Sequence, residues 1–308
     1  MRSFPSWLLV ALALASCGRQ ELPESEVSIE KRVVVSNYPL AWMTGQIDSD
    51  GIEVYFPEIV GDPAFWQPSR GQIAVMQAAD LILLNGAGYE GWRLTTSLPE
   101  SRVVESLAGL EERFLESPGK VEHRHGPEGV HSHGGLATTT WLDFSLAGEQ
   151  AVRLRDALVE RGLVEATSAA ENLAALRAQL DGLDARMKAV GKALAGAPLV
   201  ASHPVYPFLA ERYELNMDAV HWEPGGFPDA TQWAELEALL EWHPAEVMLW
   251  EGPPSEEVRR ELEERGIESL VFDPCGNRPA AGDFLSVMTE NVERLEGFLA
   301  GRYTKLQN

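Results

Sequence analysis

The chain is short of cysteine, short of positive charge and without an apolar run long enough to span a bilayer. Its two cysteines are Cys17 and Cys275. An N-terminal motif accounts for Cys17, so Cys275 is left with no partner for an internal disulfide, and in an exported chain such a thiol is either buried or reactive. Lysine and arginine together number 25 against 47 aspartates and glutamates, a formal net charge of −22. The acidic residues are scattered along the chain and form no single acidic tail. That balance excludes nucleic acid as a partner and serves mostly solubility. Also missing are a His-Glu-x-x-His helix, a Gly-x-Ser-x-Gly elbow and a phosphate-cradling glycine loop, the patterns that most directly mark hydrolases and nucleotide enzymes. An enzyme is therefore not expected. The competing enzyme class is a metal hydrolase using His203, Asp273 and the histidines of the 123–133 loop, with Glu251 or Glu223 as general base.

What the chain does have begins at its first residues. Arg2 supplies a short positive region, residues 7–15 an apolar core too short to cross a membrane, and Leu14-Ala15-Ser16-Cys17 a small-residue cleavage site ending in cysteine. The pattern resembles the bacterial lipobox, which implies a lipoprotein signal peptide over 1–17, cleavage before Cys17 and lipidation of its thiol. Residues 18–31 are charged, poor in apolar side chains and broken by Pro23, as expected of a tether. Export, with anchoring to a membrane through lipid alone, is the expected location, whether periplasmic or at the cell surface.

From Arg32 onward short apolar strands alternate with amphipathic stretches. Val33-Val34-Val35, Leu81-Ile82-Leu83-Leu84, Leu199-Val200-Ala201, Val247-Met248-Leu249-Trp250 and Leu270-Val271-Phe272 read as buried strands. Helical periodicity falls between them, over 147–161, 232–242 and 255–265. This alternation predicts an α/β fold of parallel sheets covered by helices on both faces. About 275 residues exceed what one compact core usually organises, so two lobes are expected. Ligands in such sheets gather at the carboxyl ends of strands. Ser36-Asn37-Tyr38, Asn85-Gly86-Ala87, Ser202-His203, Glu251-Gly252 and Asp273-Pro274 are thus the places to watch. One segment breaks the alternation: over 168–195, Leu173, Leu176, Leu180, Leu183, Met187, Val190 and Leu194 recur at spacings of three and four. Ser168 and Glu171 are placed as a capping box, and Gly196 lies just past the end. One helix of roughly 40 Å joining the lobes follows. The expected organisation is an N-terminal lobe over 32–163, a bridging helix over 164–196 and a C-terminal lobe over 197–308.

Four of the seven histidines fall in 123–133, as His123, His125, His131 and His133, among Gly126, Pro127, Gly129, Gly134 and Gly135. Imidazole suits zinc, copper, nickel and iron, and alternate spacing in a flexible loop lets several rings turn toward one ion. A solvated polar loop is the plainer alternative.

The order and spacing of several further motifs carry a resemblance. Val35-Ser36-Asn37-Tyr38-Pro39-Leu40, Pro68-Ser69-Arg70, Ala79 through Trp92, Trp141-Leu142-Asp143 after the histidine-rich loop, Ser202-His203 followed by Phe208-Leu209-Ala210-Glu211-Arg212-Tyr213, and Phe272-Asp273-Pro274 resemble the solute-binding proteins of bacterial zinc and manganese ABC transporters, cluster A-I. The resemblance spans essentially the whole mature chain. It implies two similar α/β lobes joined by one long bridging helix, and a cleft between them that holds zinc, manganese or another divalent transition metal for delivery to an ABC permease. The chain is expected to act as a monomer. His203 and Asp273 stand where the family keeps two of its four ligands. Ala64 and Thr139 stand where it keeps two histidines, and neither is a ligand for a borderline metal. Two ligands hold zinc poorly. The vacancies allow three outcomes: His131 or His133 completes the site, the cleft takes a metal chelate or small organic ligand against Trp66, Gln67 and the His221-Trp222-Glu223 segment, or the chain serves as a partner-binding scaffold without metal. Thr139 and Glu251 count as further cleft-wall candidates. Glu251-Gly252-Pro253-Pro254 is equally good turn chemistry, Asp273 before Pro274 suits a turn as well, and His221 is as suited to packing as to binding.

Overall fold

The computed structural model describes residues 31–48, 51–57, 59, 66–116, 121–124, 130–133 and 135–307. Its first strand, β1 (Arg32–Val35), runs where the valine triplet predicts it. Val33, Val34 and Val35 are all buried, since the strand is covered on both faces. Helix α1 (Tyr38–Ile47) follows, capped by the Asn37 side chain, which accepts from Leu40 N. Then come β2 (Glu53–Tyr55), α2 (Arg70–Ala78), opened by a Ser69–Gln72 capping box, β3 (Leu81–Leu84) and β4 (Val103–Glu105). The four strands pair in parallel in the order β2-β1-β3-β4.

The histidine-rich segment departs from the expected loop. Its described residues form an antiparallel pair, β5 (Val121–Arg124) with β6 (Val130–His133), in which His123 pairs with His131 and Val121 with His133. Cross-strand hydrogen bonds satisfy backbone groups that an open loop would leave to water. His125 lies outside the described residues.

Helix α3 (Phe144–Glu160), capped by Asp143, leads into the long α4 (Ala166–Leu194). Here the expected start needs correcting. The cap is Glu165, whose carboxylate accepts from Ser168 N at 2.8 Å, so Ser168 sits inside the first turn with its hydroxyl donating to Glu165 O. The far end closes on Ala195 in the left-handed region, followed by Gly196. The leucine stripe is buried as its spacing predicts, and α4 packs against α1 and α3 of the first lobe and against α8 of the second.

The second lobe repeats the first. It contains β7 (Leu199–Ala201), α5 (Pro207–Arg212), β8 (Met217–Ala219), α6 (Ala230–Trp242), β9 (Val247–Trp250), α7 (Glu256–Glu264), β10 (Glu268–Val271) and α8 (Phe284–Gln307). Its parallel sheet has the order β10-β9-β7-β8. Read from β8, that is second, first, third, fourth, the same order as in the first lobe. The two inner sheet faces, α4 and α8 form one continuous core that includes Val35, Leu83, Leu176, Leu183, Leu249 and Met288. The outer faces are covered separately, around Trp222 and Trp250 in one lobe and around Ile82 and Trp92 in the other. Charge pairing ties the junction: Arg212 binds Asp184 of α4 and lies 3.5 Å from Asp143, which also takes Arg113 at 2.7 Å. Tyr213 donates to Asp184 and accepts from Phe144 N, both at 3.2 Å.

Candidate metal centre

Both sheets reverse strand order beside their first strand, and the carboxyl ends of β1, β3, β7 and β9 therefore flank the positions where such folds place ligands. His203 stands two residues beyond β7 and is buried. The β8 chain extends the parallel pairing past its own end: Val220 N donates to Ala201 O at 2.9 Å and Trp222 N to Ser202 O at 2.7 Å. This carries His221 and Glu223 alongside His203. The His203 and His221 rings meet edge to face with centroids 5.5 Å apart, and His203 Nδ1 lies 4.0 Å from Glu223 Oε1.

Asp273 follows β10, half-buried, with its carboxylate accepting from Cys275 N at 2.7 Å. Burial raises its pKa, against that hydrogen bond and the charge of Arg294. Asn291 holds the backbone on both sides of this residue, donating to Asp273 O at 2.7 Å and accepting from Asp273 N at 3.1 Å. Tyr206 donates to Phe272 O, and burial together with the charges of Glu251 and Asp273 pushes its pKa well up. Glu251 and Asp273 thus face the same phenol from the ends of neighbouring strands. Cys275 is buried, and burial raises its thiol so far that it is the inert kind of lone cysteine.

The first lobe meets these residues through backbone-directed ties. The Thr139 hydroxyl donates to Val205 O, Trp141 Nε1 to Pro274 O at 2.7 Å, and Tyr38 N to Gly276 O at 3.0 Å. The position where the resemblance puts a histidine therefore holds a side chain committed to bridging the lobes. Trp66 packs edge-on against Trp92 at 6.0 Å in the outer cluster of the first lobe, and Gln67 beside it is exposed. His123, His131 and His133 lie on the β5–β6 pair, while Ala64 and Cys17 are outside the described residues. His243 is buried at the end of α6 and bonds Leu199 O through Nε2, fixing α6 to β7. Among the described residues, no three of His, Cys, Asp and Glu stand close enough to hold an ion as they are.

Below the first lobe's strand ends lies a polar network that no single motif announced. The Asn85 side chain receives hydrogen bonds from Asn37, Thr140 and Gln150. The buried Glu90 carboxylate accepts from Asn85 N at 2.7 Å and Gly86 N at 3.1 Å, and burial pushes its pKa up to about 7. The Glu90 bonds close the turn over Gly86, Ala87 and Gly88, all with positive φ.

The profile of the family described as "Zinc-uptake complex component A periplasmic" matches residues 33–297. The chain belongs to that family. As a member of a periplasmic zinc-uptake family it is an exported protein, and no helix of the described residues is long and apolar enough to cross a membrane. The "High-affinity zinc uptake system protein ZnuA" of Bacillus subtilis (strain 168) is 25% identical over 309 residues, covering 94% of each chain. Among solved structures, the metal-dependent lipoprotein YcdH from Bacillus subtilis superposes with a TM-score of 0.72 at 20% identity, over 86% of this chain and 98% of that one. The Zn(II)-bound ZnuA-like domain of Streptococcus pneumoniae AdcA gives 0.70 at 21% identity, over 87% and 98%. The two-lobe fold is thus that of the ZnuA family, with the long helix between the lobes that the sequence predicts.

Proposed function

We propose that this ZnuA-family member is a lipid-anchored receptor that binds zinc between its lobes and passes it to an ABC permease. Family membership over 33–297, with His203 kept at the end of the second lobe's first strand, is the observation that supports this reading. The names of its relatives support it: one is a zinc uptake protein, one a metal-dependent lipoprotein and one a Zn(II)-bound domain. The site is atypical. His203 and Asp273 remain as donors, the Thr139 hydroxyl is engaged with Val205, and donors from elsewhere make up the set, the histidines of 123–133 being the candidates the sequence offers. Manganese and other divalent transition metals compete for the same donors, and imidazole favours zinc among the common ones. The 1–17 segment with its terminal Cys17 supports anchoring by lipid.

One experiment tests location and cargo together. Wild-type protein is expected in the membrane fraction and the Cys17→Ser form in the soluble fraction. That soluble form, purified without chelator and titrated calorimetrically, is expected to bind one zinc tightly and to release it below about pH 6, where imidazoles protonate. Retention of the Cys17→Ser form on salt-washed membranes removes the lipid anchor, and the absence of zinc binding removes the receptor reading.

A further inference from the structure

Helix α8 lays Phe284, Met288, Val292 and Leu295 into the core at spacings of three and four, and all four are buried. Asn291 is buried among them on the same helix. A buried amide costs free energy unless its hydrogen bonds are made, and here they are. Nδ2 donates to Asp273 O at 2.7 Å and lies 3.9 Å from Met288 Sδ, while Oδ1 accepts from Asp273 N at 3.1 Å and from Arg294 Nη1 at 3.0 Å. Both ends of the amide are engaged, which sets its orientation. The residue it grips ends an edge strand, β10. Phe272 N, just past that strand, still donates to Trp250 O of β9, and for Asp273 the Asn291 amide takes the place of a strand partner. The neighbouring carbonyls are held as well, Phe272 O by Tyr206 and Pro274 O by Trp141 of the first lobe, and the Asp273 carboxylate accepts from Cys275 N. Core packing alone would be served by another apolar residue at 291. What the amide adds is a grip on both backbone groups of one residue.

We infer that Asn291 is a positioning residue for zinc binding, acting through Asp273 by holding its backbone, and so its carboxylate, where an ion meets it. The inference rests on the zinc-receptor reading, in which His203 and Asp273 are the donors kept by the second lobe. Zinc–oxygen bonds of about 2.0–2.2 Å tolerate little displacement of the donor. A carboxylate on a segment with no strand beside it would have to be ordered each time an ion bound, and that ordering would be subtracted from the affinity. Held beforehand from α8, it is ordered already. Groups that orient a metal ligand are typically worth about 10- to 100-fold in affinity. A site that keeps fewer donors than its relatives has the more to gain from each one being fixed.

The test is zinc titration of the soluble Cys17→Ser chain and of three variants made in it: Asp273→Asn, Asn291→Ala and the two combined. Asn291→Ala is expected to weaken zinc by about 10- to 100-fold, and Asp273→Asn by at least as much. In the Asp273→Asn background, Asn291→Ala should cost no further affinity, because its effect travels through that carboxylate. A merely structural role would lower affinity by the same factor in both backgrounds. If Asn291→Ala binds zinc as tightly as the parent while Asp273→Asn does not, or if the two losses multiply, the positioning role is overturned and the receptor reading stands. If Asp273→Asn leaves affinity unchanged, Asp273 is not a donor and the inference falls with it, while zinc is held by other residues. If the parent binds no zinc, the receptor reading itself fails and takes the inference with it. Should Asn291→Ala not fold, Asn291→Asp takes its place in the same cycle: it is nearly isosteric, keeps the acceptor for Asp273 N and Arg294, and loses the donor to Asp273 O.

Discussion

At the scale of the residue, Glu90 shows what burial does to a group that sequence reads as ordinary. Two backbone N–H groups and the Ser36 hydroxyl bond to its carboxylate, which favours the charged form, yet desolvation outweighs them and sets the pKa near 7 against 4.5 in open chain. Between those two values the folded chain holds a proton that the unfolded chain has released. Stability from this group is therefore full below about pH 4.5 and falls as pH rises through about 7, by roughly 3 kcal/mol for a shift of this size. Glu90→Gln cannot titrate. Whatever its own cost, its urea-unfolding free energy should gain on the wild type by about that amount between pH 4.5 and 7.5. A constant gap between the two across this range would show that Glu90 is already charged in the fold. Nothing near Glu90 in the sequence announces this, because the burial comes from strands β1 and β3 closing over it. Thr139 is the opposite case. The family resemblance implies a histidine at its position, and the structure adds its bond to Val205 O across the lobe boundary.

The element that most defines the molecule is α4, and two of its glycines separate packing from propensity. A Cβ on Gly191 would lie 2.0 Å from the carbonyl oxygen of Tyr213, so the helix approaches the end of α5 more closely than any other residue permits. Gly182, exposed on the same helix, has nothing within 4 Å of such an atom. Gly191→Ala should lower the unfolding free energy by about 1–3 kcal/mol through overpacking. Gly182→Ala should raise it by about 0.5–1 kcal/mol by restricting the unfolded chain and restoring helix propensity. Denaturant midpoints that move in the same direction for both would contradict this account of the α4–α5 contact. The helix itself was legible from its leucine spacing, to within three residues at its start. The cap was misplaced because serine ordinarily serves there, whereas here the longer Glu165 side chain reaches Ser168 N first.

For the whole molecule, the lobes are joined by more than α4. One core runs through both inner sheet faces, and Tyr38, Trp42, Thr139 and Trp141 of the first lobe all bond into the second. Closure about a hinge would break several of these bonds at once and bend a helix of 29 residues. Solution scattering profiles with and without zinc should superimpose within error. A measurable compaction on loading would mean that the lobes move as hinged bodies and that the interlobe bonds are made only in one state.

The ligand positions at His203 and Asp273, and their replacements at Ala64 and Thr139, are what the family resemblance implies, whereas the strand–helix alternation and the bridging helix were set by local pattern. Apolar periodicity and short motifs report on a residue's immediate neighbours, and these features need nothing more. The tertiary structure alone decided that the histidine-rich segment pairs as strands, that Glu90 is sealed from water, and that His221 and Glu223 stand beside His203. That last neighbourhood joins residues about twenty positions apart, and it exists because β7 and β8 pair in parallel and continue pairing through Ser202 and Trp222. Such a register is fixed by long-range hydrogen bonds and by the Trp222 side chain seated in a core of distant residues, and no window of local sequence contains either.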